Sequence, residues 1–383
     1  MKANWPKVRL GEVLVLHDTS IPVSQLGEVN LAGVYSFARG LFKRSPISPA
    51  KTSYKSFNRL VTDDFVISEP KAWEGAIARV TPEFEGWFLS PVFPSFRVNR
   101  ERLEPAFLEW LCRRPALWAE LQRNSRGIGA RRETVHPAQF LALEIPLPPL
   151  AEQRRVAARI EELAAQIDEA RVLRQQAAEE AEALVISNHV RLAGSRTRRL
   201  GEFLRLDEDA VPIQWDGSYP QVGVRSFGAG LFSKAATSGT ETTYRTFNRL
   251  FDGALVLSQV KGWEGALAVC PKNLAGWFVS PEYRTFRCID GEARPGYLAP
   301  IVRSEWFWSR LTHATRGVGA RRERTRPEQF LNLEIPMPDS RAQEIGECVF
   351  AEVDALKRLQ AETAAELDAL IPAVLDRAFK GEL

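Results

Sequence analysis

Two kinds of hydrophobic spacing alternate along this chain. Short β-favouring runs broken by Gly and Pro, Phe65-Val66-Ile67-Ser68, then 76–80 and 86–98, predict strands. The period then lengthens: Phe107, Leu108, Leu111, Leu117 and Leu121 predict one helix over 105–124, and Pro137 stands where a first helical turn begins. After Ile145-Pro146-Leu147-Pro148-Pro149 the pattern changes in kind. Val156, Ile160, Leu163, Ile167, Ala170, Arg174, Ala177, Ala181 and Leu184 step alternately by four and three, with Glu, Arg, Gln and Ala on the other faces. This is a heptad seam, and its 29 residues as a helix span about 44 Å.

The whole pattern returns 190 positions later: residues 9–153 reappear as 199–343 without an insertion. Arg9-Leu10-Gly11-Glu12 becomes Arg199-Leu200-Gly201-Glu202, Phe57-Asn58-Arg59-Leu60 becomes Phe247-Asn248-Arg249-Leu250, and Trp73-Glu74-Gly75-Ala76 becomes Trp263-Glu264-Gly265-Ala266. The strand runs recur at 254–258, 266–270 and 276–288. A second seam follows Ile335-Pro336-Met337-Pro338, through Val349, Val353, Leu356, Gln360, Thr363, Leu367, Leu370 and Val374, with Pro372 expected to kink or end its helix. The expected fold is α+β: two tandem-duplicated mixed domains (1–150 and 196–338) separated by two long antiparallel coiled-coil helices (151–195 and 339–383) around a pseudo-two-fold axis. Two copies of one unit in one polypeptide suit a partner with a two-fold axis of its own, and duplex DNA is such a partner.

The net charge of +3 conceals a division. The segments 152–182 and 341–383 hold 17 acidic and 10 basic residues, so the rest of the chain keeps 41 of the 51 basic and 31 of the 48 acidic ones. Positive charge therefore concentrates in the repeated domains, as a phosphate-facing surface requires. Cys112, Cys270, Cys288 and Cys348 form no CxxC pair, and none faces a cysteine in the other repeat, which argues against a disulfide framework or zinc site. With no signal-peptide core and no long apolar run, the expectation is a cytoplasmic protein without a membrane partner.

Asp64 with Glu69-Pro70-Lys71 imitates the metal-binding carboxylates and lysine of DNA-cutting enzymes. The second repeat has Ala254, Gln259, Val260 and Lys261 there, so the match reads as chance; Lys71 and Lys261 persist as anion contacts. No nucleotide-binding loop, base-flipping methyltransferase motif or repeated histidine appears; His17, His136, His189 and His313 each lack a counterpart. The stronger signal is arginine. Arg126, Arg131 and Arg132, interleaved with two glycines, recur as Arg316, Arg321 and Arg322, and guanidinium forks match phosphate oxygens and guanine edges. Lys55/Arg245 and Arg59/Arg249 form a second basic cluster beside Tyr54/Tyr244 and Phe57/Phe247. Those aromatics, with Trp73/Trp263 and Trp87/Trp277, read as core.

The assembled order, a variable domain, Ile145-Pro146-Leu147-Pro148-Pro149-Leu150-Ala151-Glu152-Gln153, a long helix, a second variable domain and a second helix, resembles the specificity subunit of type I restriction-modification enzymes. Trp-Glu-Gly-Ala followed by Phe-x-Ser-Pro (88–91 and 278–281) also looks like one type of its target recognition domains. The resemblance implies a non-catalytic chain without a cofactor of its own. Each domain would read half of a bipartite DNA site while the helices set the spacing and dock two methyltransferase subunits. Motor-nuclease subunits would join that core, and S-adenosylmethionine, ATP and Mg are expected on the partners. The second junction departs from the pattern: Asp339-Ser340-Arg341-Ala342-Gln343 replaces Pro149-Leu150-Ala151-Glu152-Gln153. Domains so alike predict an almost palindromic interrupted target. Half-site differences would trace to exchanged positions: Tyr35/Arg225, Arg39/Ala229, Lys51/Glu241, Glu69/Gln259, Pro70/Val260 and Arg79/Val269. The competing readings are a coiled-coil adaptor that binds protein, and a metal-dependent nuclease.

Overall fold

The computed structural model describes residues 5–124, 134–315 and 324–383. The chain divides into two compact units. One comprises residues 1–171 with 364–383, the other 172–363.

In the first unit a four-stranded antiparallel sheet runs in the order Leu14–His17, Ser95–Val98, Phe65–Ile67, Ile77–Arg79. The run expected over 86–98 thus makes two strands, Phe88–Leu89 and Ser95–Val98, because Pro91 and Pro94 interrupt the ladder. Helices α1 (Pro105–Cys112), α2 (Pro115–Asn124) and α3 (Pro137–Leu141) follow, then the long α4 (Leu150–Ala193). Their counterparts are α5 (Pro295–Arg303), α6 (Glu305–Thr315) and α7 (Pro327–Leu331), then α8 (Ser340–Glu362) and α9 (Ala364–Phe379). The single helix expected over 105–124 is two, because Pro115 cannot continue the ladder and starts a new helix as its first residue.

The second unit repeats the four-stranded sheet as Leu204–Leu206, Tyr283–Cys288, Leu255–Ser258, Leu267–Val269. Its second sheet is larger: Asp209–Pro212, Thr246–Arg249, Phe278–Val279, Ser218–Val224 and Leu231–Ser238 form five strands. In the first unit the same region separates into Ser20–Pro22, Ser56–Arg59, Phe88–Leu89 and a short hairpin, Ala32–Val34 with Leu41–Lys43. Pro46 and Pro49 stand where the second unit has Ala236 and Gly239, and two prolines deprive that hairpin of donors.

Each core lies between the four-stranded sheet and the helices. In the first unit Phe96 packs on Phe140 at 5.0 Å, and the cluster extends to Val156 and Ile160 of α4 and to Leu375 and Phe379 of α9. The second unit does the same with Phe286 and Phe330, then Ala181 and Val185 of α4 and Phe350 and Val353 of α8. The helix after one repeat is thus completed by the helix after the other, and within each unit the pair is antiparallel. Arg155 reaches the Leu383 carbonyl while Arg171 pairs with Asp368; Arg174 donates to the Thr363 carbonyl while Lys357 pairs with Glu182.

The seams differ in detail from the heptad reading. Leu184 is 51% exposed and Val185 is buried instead; Leu356 and Leu370 are also exposed, and Phe350, Ile371 and Leu375 carry the contact beside them. A straight α-helix drifts by about 20° per heptad against a 3.5-residue repeat, so the buried stripe moves on by one position. Pro372 lies inside α9; the helix break comes earlier, at Thr363, whose hydroxyl donates to the Leu359 carbonyl.

Candidate nucleic-acid interface

The Trp-Glu-Gly-Ala motif proves to be a clamp. Ala72–Glu74 forms one 3-10 turn ended by Gly75 at φ 76°, and the Trp118 ring lies on that glycine, 2.5 Å from where a Cβ would be. Glu74 accepts hydrogen bonds from the Ser36 hydroxyl (3.1 Å) and the Lys71 ammonium (2.8 Å), and its carbonyl accepts from the Phe37 amide (2.9 Å). The Lys71 hydrogen bond is the main reason the Glu74 carboxyl sits below the usual range. Held at both ends, Phe37 takes φ 63° and leaves its ring 58% exposed, edge-on to Trp118 at 5.9 Å.

The second unit reproduces the turn, the ring on the glycine and the two hydrogen bonds that hold the phenylalanine loop, while its lysine stands off. Gly265 lies under Trp308, and Glu264 binds the Ser226 hydroxyl (3.0 Å) and the Phe227 amide (2.7 Å). Phe227 takes φ 58° and is 72% exposed. A left-handed backbone at a bulky residue is strained, and the same strain in both copies marks a surface kept for contact. Each unit has a groove beside this aromatic pair. One of about 540 Å³ lies between Phe37, Trp118 and Arg113 on one side and Ile371 and Leu375 of α9 on the other; one of about 650 Å³ lies between Phe227, Trp308 and Arg303 and the α4–α8 pair at Val185 and Phe350.

The basic positions are distributed unevenly. Lys55 and Arg245 are exposed, as are Arg59 and Arg249. Arg249 pairs with Asp209 at 2.7 Å, while Arg59 adds weakly to the Thr62 hydrogen bonds that hold the Glu85 carboxyl low. Lys71 and Lys261 are exposed and pair with the clamp carboxylates, Lys261 at 3.6 Å from Glu264. The arginine-rich loops, with Arg126, Arg131, Arg132, Arg316, Arg321 and Arg322, lie outside the described residues.

Among the half-site positions, Tyr35 and Arg39 form an exposed stack, the guanidinium 4.9 Å from the ring centre, and Arg225 lies over Phe232 at the same distance. Lys51 is exposed. Glu69 and Gln259 are half-buried, and their carbonyls accept from the Val135 and Thr325 amides. Arg79 is held between Asp63 (2.6 Å) and Glu109 (3.4 Å) in a half-buried network. The aromatics read as core divide: Phe57 and Phe247 are buried, but Tyr54 and Tyr244 are exposed at 47% and 42%. Trp73, Trp87 and Trp277 pack partly buried against the cores. Two exposed aromatics went unnoticed in the sequence, Phe37/Phe227 and Trp215. Retention of Phe through a 190-residue displacement was a signal for the first, whereas Trp215, opposite Gln25, offered none.

The nuclease-like constellation is not assembled. Asp64 is buried and turned to His17 Nδ1 at 2.5 Å, with Arg97 beyond, and burial raises its pKa against the pull of both. Lys71 is engaged elsewhere, and among the described residues no acidic, histidine or cysteine cluster could hold a metal. The second unit, with Ala254 in place of Asp64, pairs Arg287 with Asp207 at the position of His17. The arginine thus keeps an acidic partner in both units, buried Asp64 in the first and half-buried Asp207 in the second.

These features define a class: a chain of two duplicated α+β units, each presenting one aromatic clamp beside an antiparallel helix pair. Solved structures match it over its full length, two of them as follows. The HsdS subunit from Thermoanaerobacter tengcongensis is 25% identical, with 99% of this chain and 97% of that one covered at a TM-score of 0.58. A chain from a structure described as the basis of complex assembly and conformational transition of the type I R-M system is 24% identical, covered 100% on both sides at a TM-score of 0.71. No protein-family model and no curated protein sequence matches the chain. The chain has the HsdS fold, and the resemblance to type I specificity subunits read from its motifs is borne out. No described helix is long and apolar enough to cross a membrane.

Proposed function

We propose that this chain is the DNA-reading, non-catalytic subunit of a type I restriction-modification complex. The observation that carries the reading is the full-length likeness to an HsdS subunit at 25% identity, in a chain whose two units present the same clamp. Each unit reads one half of a bipartite site, and domains this alike read similar sequences on opposite strands, giving a target close to an interrupted palindrome. Tyr35, Arg39, Lys51, Glu69, Arg79, Arg225 and Gln259 contribute to the differences between half-sites. One methyltransferase subunit docks at each helix pair, and motor-nuclease subunits join that assembly. S-adenosylmethionine, ATP and Mg belong to the partners.

The test is adenine methylation across the host genome, by single-molecule sequencing with and without the gene. Loss of one bipartite, nearly self-complementary motif is expected; an unchanged methylome with the methyltransferase expressed would remove the reading in favour of a protein-binding adaptor. Two unrelated half-sites would overturn the near-palindrome alone. Arg131 and Arg321 are read as DNA contacts, to phosphate or to a guanine edge, and the phosphate alternative is the one a salt titration tests. Replacing either by alanine should weaken binding to all duplexes alike and lower the slope of log affinity against log salt by about 1, read by fluorescence anisotropy between 50 and 200 mM salt, roughly the range in which such contacts dominate.

A further inference from the structure

We infer that Trp215 is a one-sided DNA contact: an indole that the second unit lays against base edges of its half-site and that the first unit lacks. The inference rests on the DNA-reading function proposed above. Trp215 is 78% exposed, more than any other large hydrophobic residue among those described. Its loop is not slack. The Ile213 amide donates to the Arg245 carbonyl (3.0 Å), the Gln214 amide to the Tyr219 hydroxyl (2.8 Å), and the Gly217 amide to the Gln214 carbonyl (3.0 Å). Tyr219 itself is buried between Phe247 and Phe278, at 5.4 and 5.2 Å. The turn Gly239–Glu241 packs on the loop from the other side, so closely that a Cβ at Gly239 would fall 2.0 Å from the Gln214 carbonyl oxygen. A loop fixed at so many points holds its indole in water by construction, an arrangement that lowers the entropy cost of binding.

The surroundings indicate what the indole meets. The hydrogen bond to Arg245 joins the loop to the exposed Tyr244 and Arg245, and Val23 makes the same bond to Lys55 in the first unit (2.9 Å), beside exposed Tyr54. The two basic-aromatic clusters are therefore equivalent, and the difference between them is local. Gln25 stands in place of Trp215, half-buried Leu26 in place of exposed Asp216, and Lys51 in place of Glu241. The Asp216 carboxylate next to the indole turns phosphate away and accepts from amino groups on base edges; Glu241, which accepts from the Ser238 amide of its own turn (3.1 Å), adds negative charge where Lys51 of the first unit attracts phosphate. Trp215 is thus placed for the base side of the duplex, and it breaks the symmetry of the target in the second half-site only.

The test uses the full chain in complex with its methyltransferase partner and the duplex motif given by the methylome. Binding of Trp215→Ala, Trp215→Phe and Gln25→Ala is measured by anisotropy over a salt range. Trp215→Ala should bind the target about 10-fold more weakly, the size of one lost base-edge contact. Its salt slope should be unchanged, and its preference should relax at a base pair of one half-site only. Trp215→Phe should recover most of the affinity, and Gln25→Ala should match the parent. Parent-like affinity and preference in Trp215→Ala would overturn the inference, as would loss of methyltransferase co-purification with DNA binding intact, which makes the indole a protein contact. Absence of salt-dependent duplex affinity in the parent complex would instead bring down the DNA-reading function itself.

Discussion

Replacing Gln343 by leucine should destabilise the second unit by about 3 kcal/mol, and Gln153→Leu should do the same to the first, since each leaves three backbone groups without a partner. Both glutamines are fully buried. Gln343 Oε1 accepts from the Arg294 amide (3.0 Å) while its Nε2 donates to the carbonyls of Glu292 (2.9 Å) and Pro338 (3.0 Å). Gln153 makes the same set with the Glu104 amide (2.8 Å) and the carbonyls of Arg102 (2.9 Å) and Pro148 (2.7 Å). Each side chain thus ties the first turn of a long helix to the loop that opens the domain's first helix. Leucine fills a similar volume, so the loss isolates the polar contribution. Hydrogen exchange reads it locally: protection should fall at the Arg294 amide in Gln343→Leu and at the Glu104 amide in Gln153→Leu. Unaltered protection at both would show that the three bonds are not holding the junction.

These glutamines show what the sequence could and could not disclose. Gln153 ends the Pro-Pro-Leu-Ala-Glu-Gln run, and Gln343 is what the second junction keeps of it. The departure there is a change of helix start: the Asp339 carboxylate accepts from the Ala342 amide at 2.9 Å, where the first copy places Pro149 ahead of α4. Duplication, strand runs and helix order were legible because periodicity records which face is buried. Periodicity does not record where a stripe drifts over several turns, so Leu184 and Leu370 were misplaced by one residue, and Leu356 stays exposed one turn beyond buried Val353. Nor does it show how far a ring emerges. Tyr54 and Phe57 lie three residues apart in similar surroundings, yet one is 47% exposed and the other 2%. The candidate lysines were legible as charges but not as partners of the clamp carboxylates, because Lys71 and Glu74 meet only when the intervening residues form a 3-10 turn. The change of acidic partner from Asp64 to Asp207 required both units to be seen side by side.

The two units should also differ in their response to acid, for a reason that lies at one equivalent position. In the first unit Phe379 of α9 packs on Phe107 at 5.2 Å; at the equivalent positions, 190 residues before Phe379 and 190 after Phe107, the second unit has His189 of α4 against Tyr297, joined by a hydrogen bond of 2.8 Å. Both members of the second pair are fully buried. Burial pushes His189 down to about 4 against the opposing pull of the Pro336 carbonyl, with a smaller downward contribution from Arg310. The folded-state pKa is therefore below the unfolded one, so the unfolded chain binds the extra proton first. Stability is complete above about pH 6.5 and is lost as the pH falls from there towards 4, by about 3 kcal/mol in all for a buried imidazole shifted this far. Denaturation of the parent followed through second-unit amides should show this loss between pH 6.5 and 4, and the double variant His189→Phe/Tyr297→Phe, which rebuilds the aromatic pair of the first unit, should lack it. The single variant Tyr297→Phe should keep the acid sensitivity, since the imidazole stays buried. Equal acid profiles for the parent and the double variant would mean that another group sets the low-pH limit of this unit.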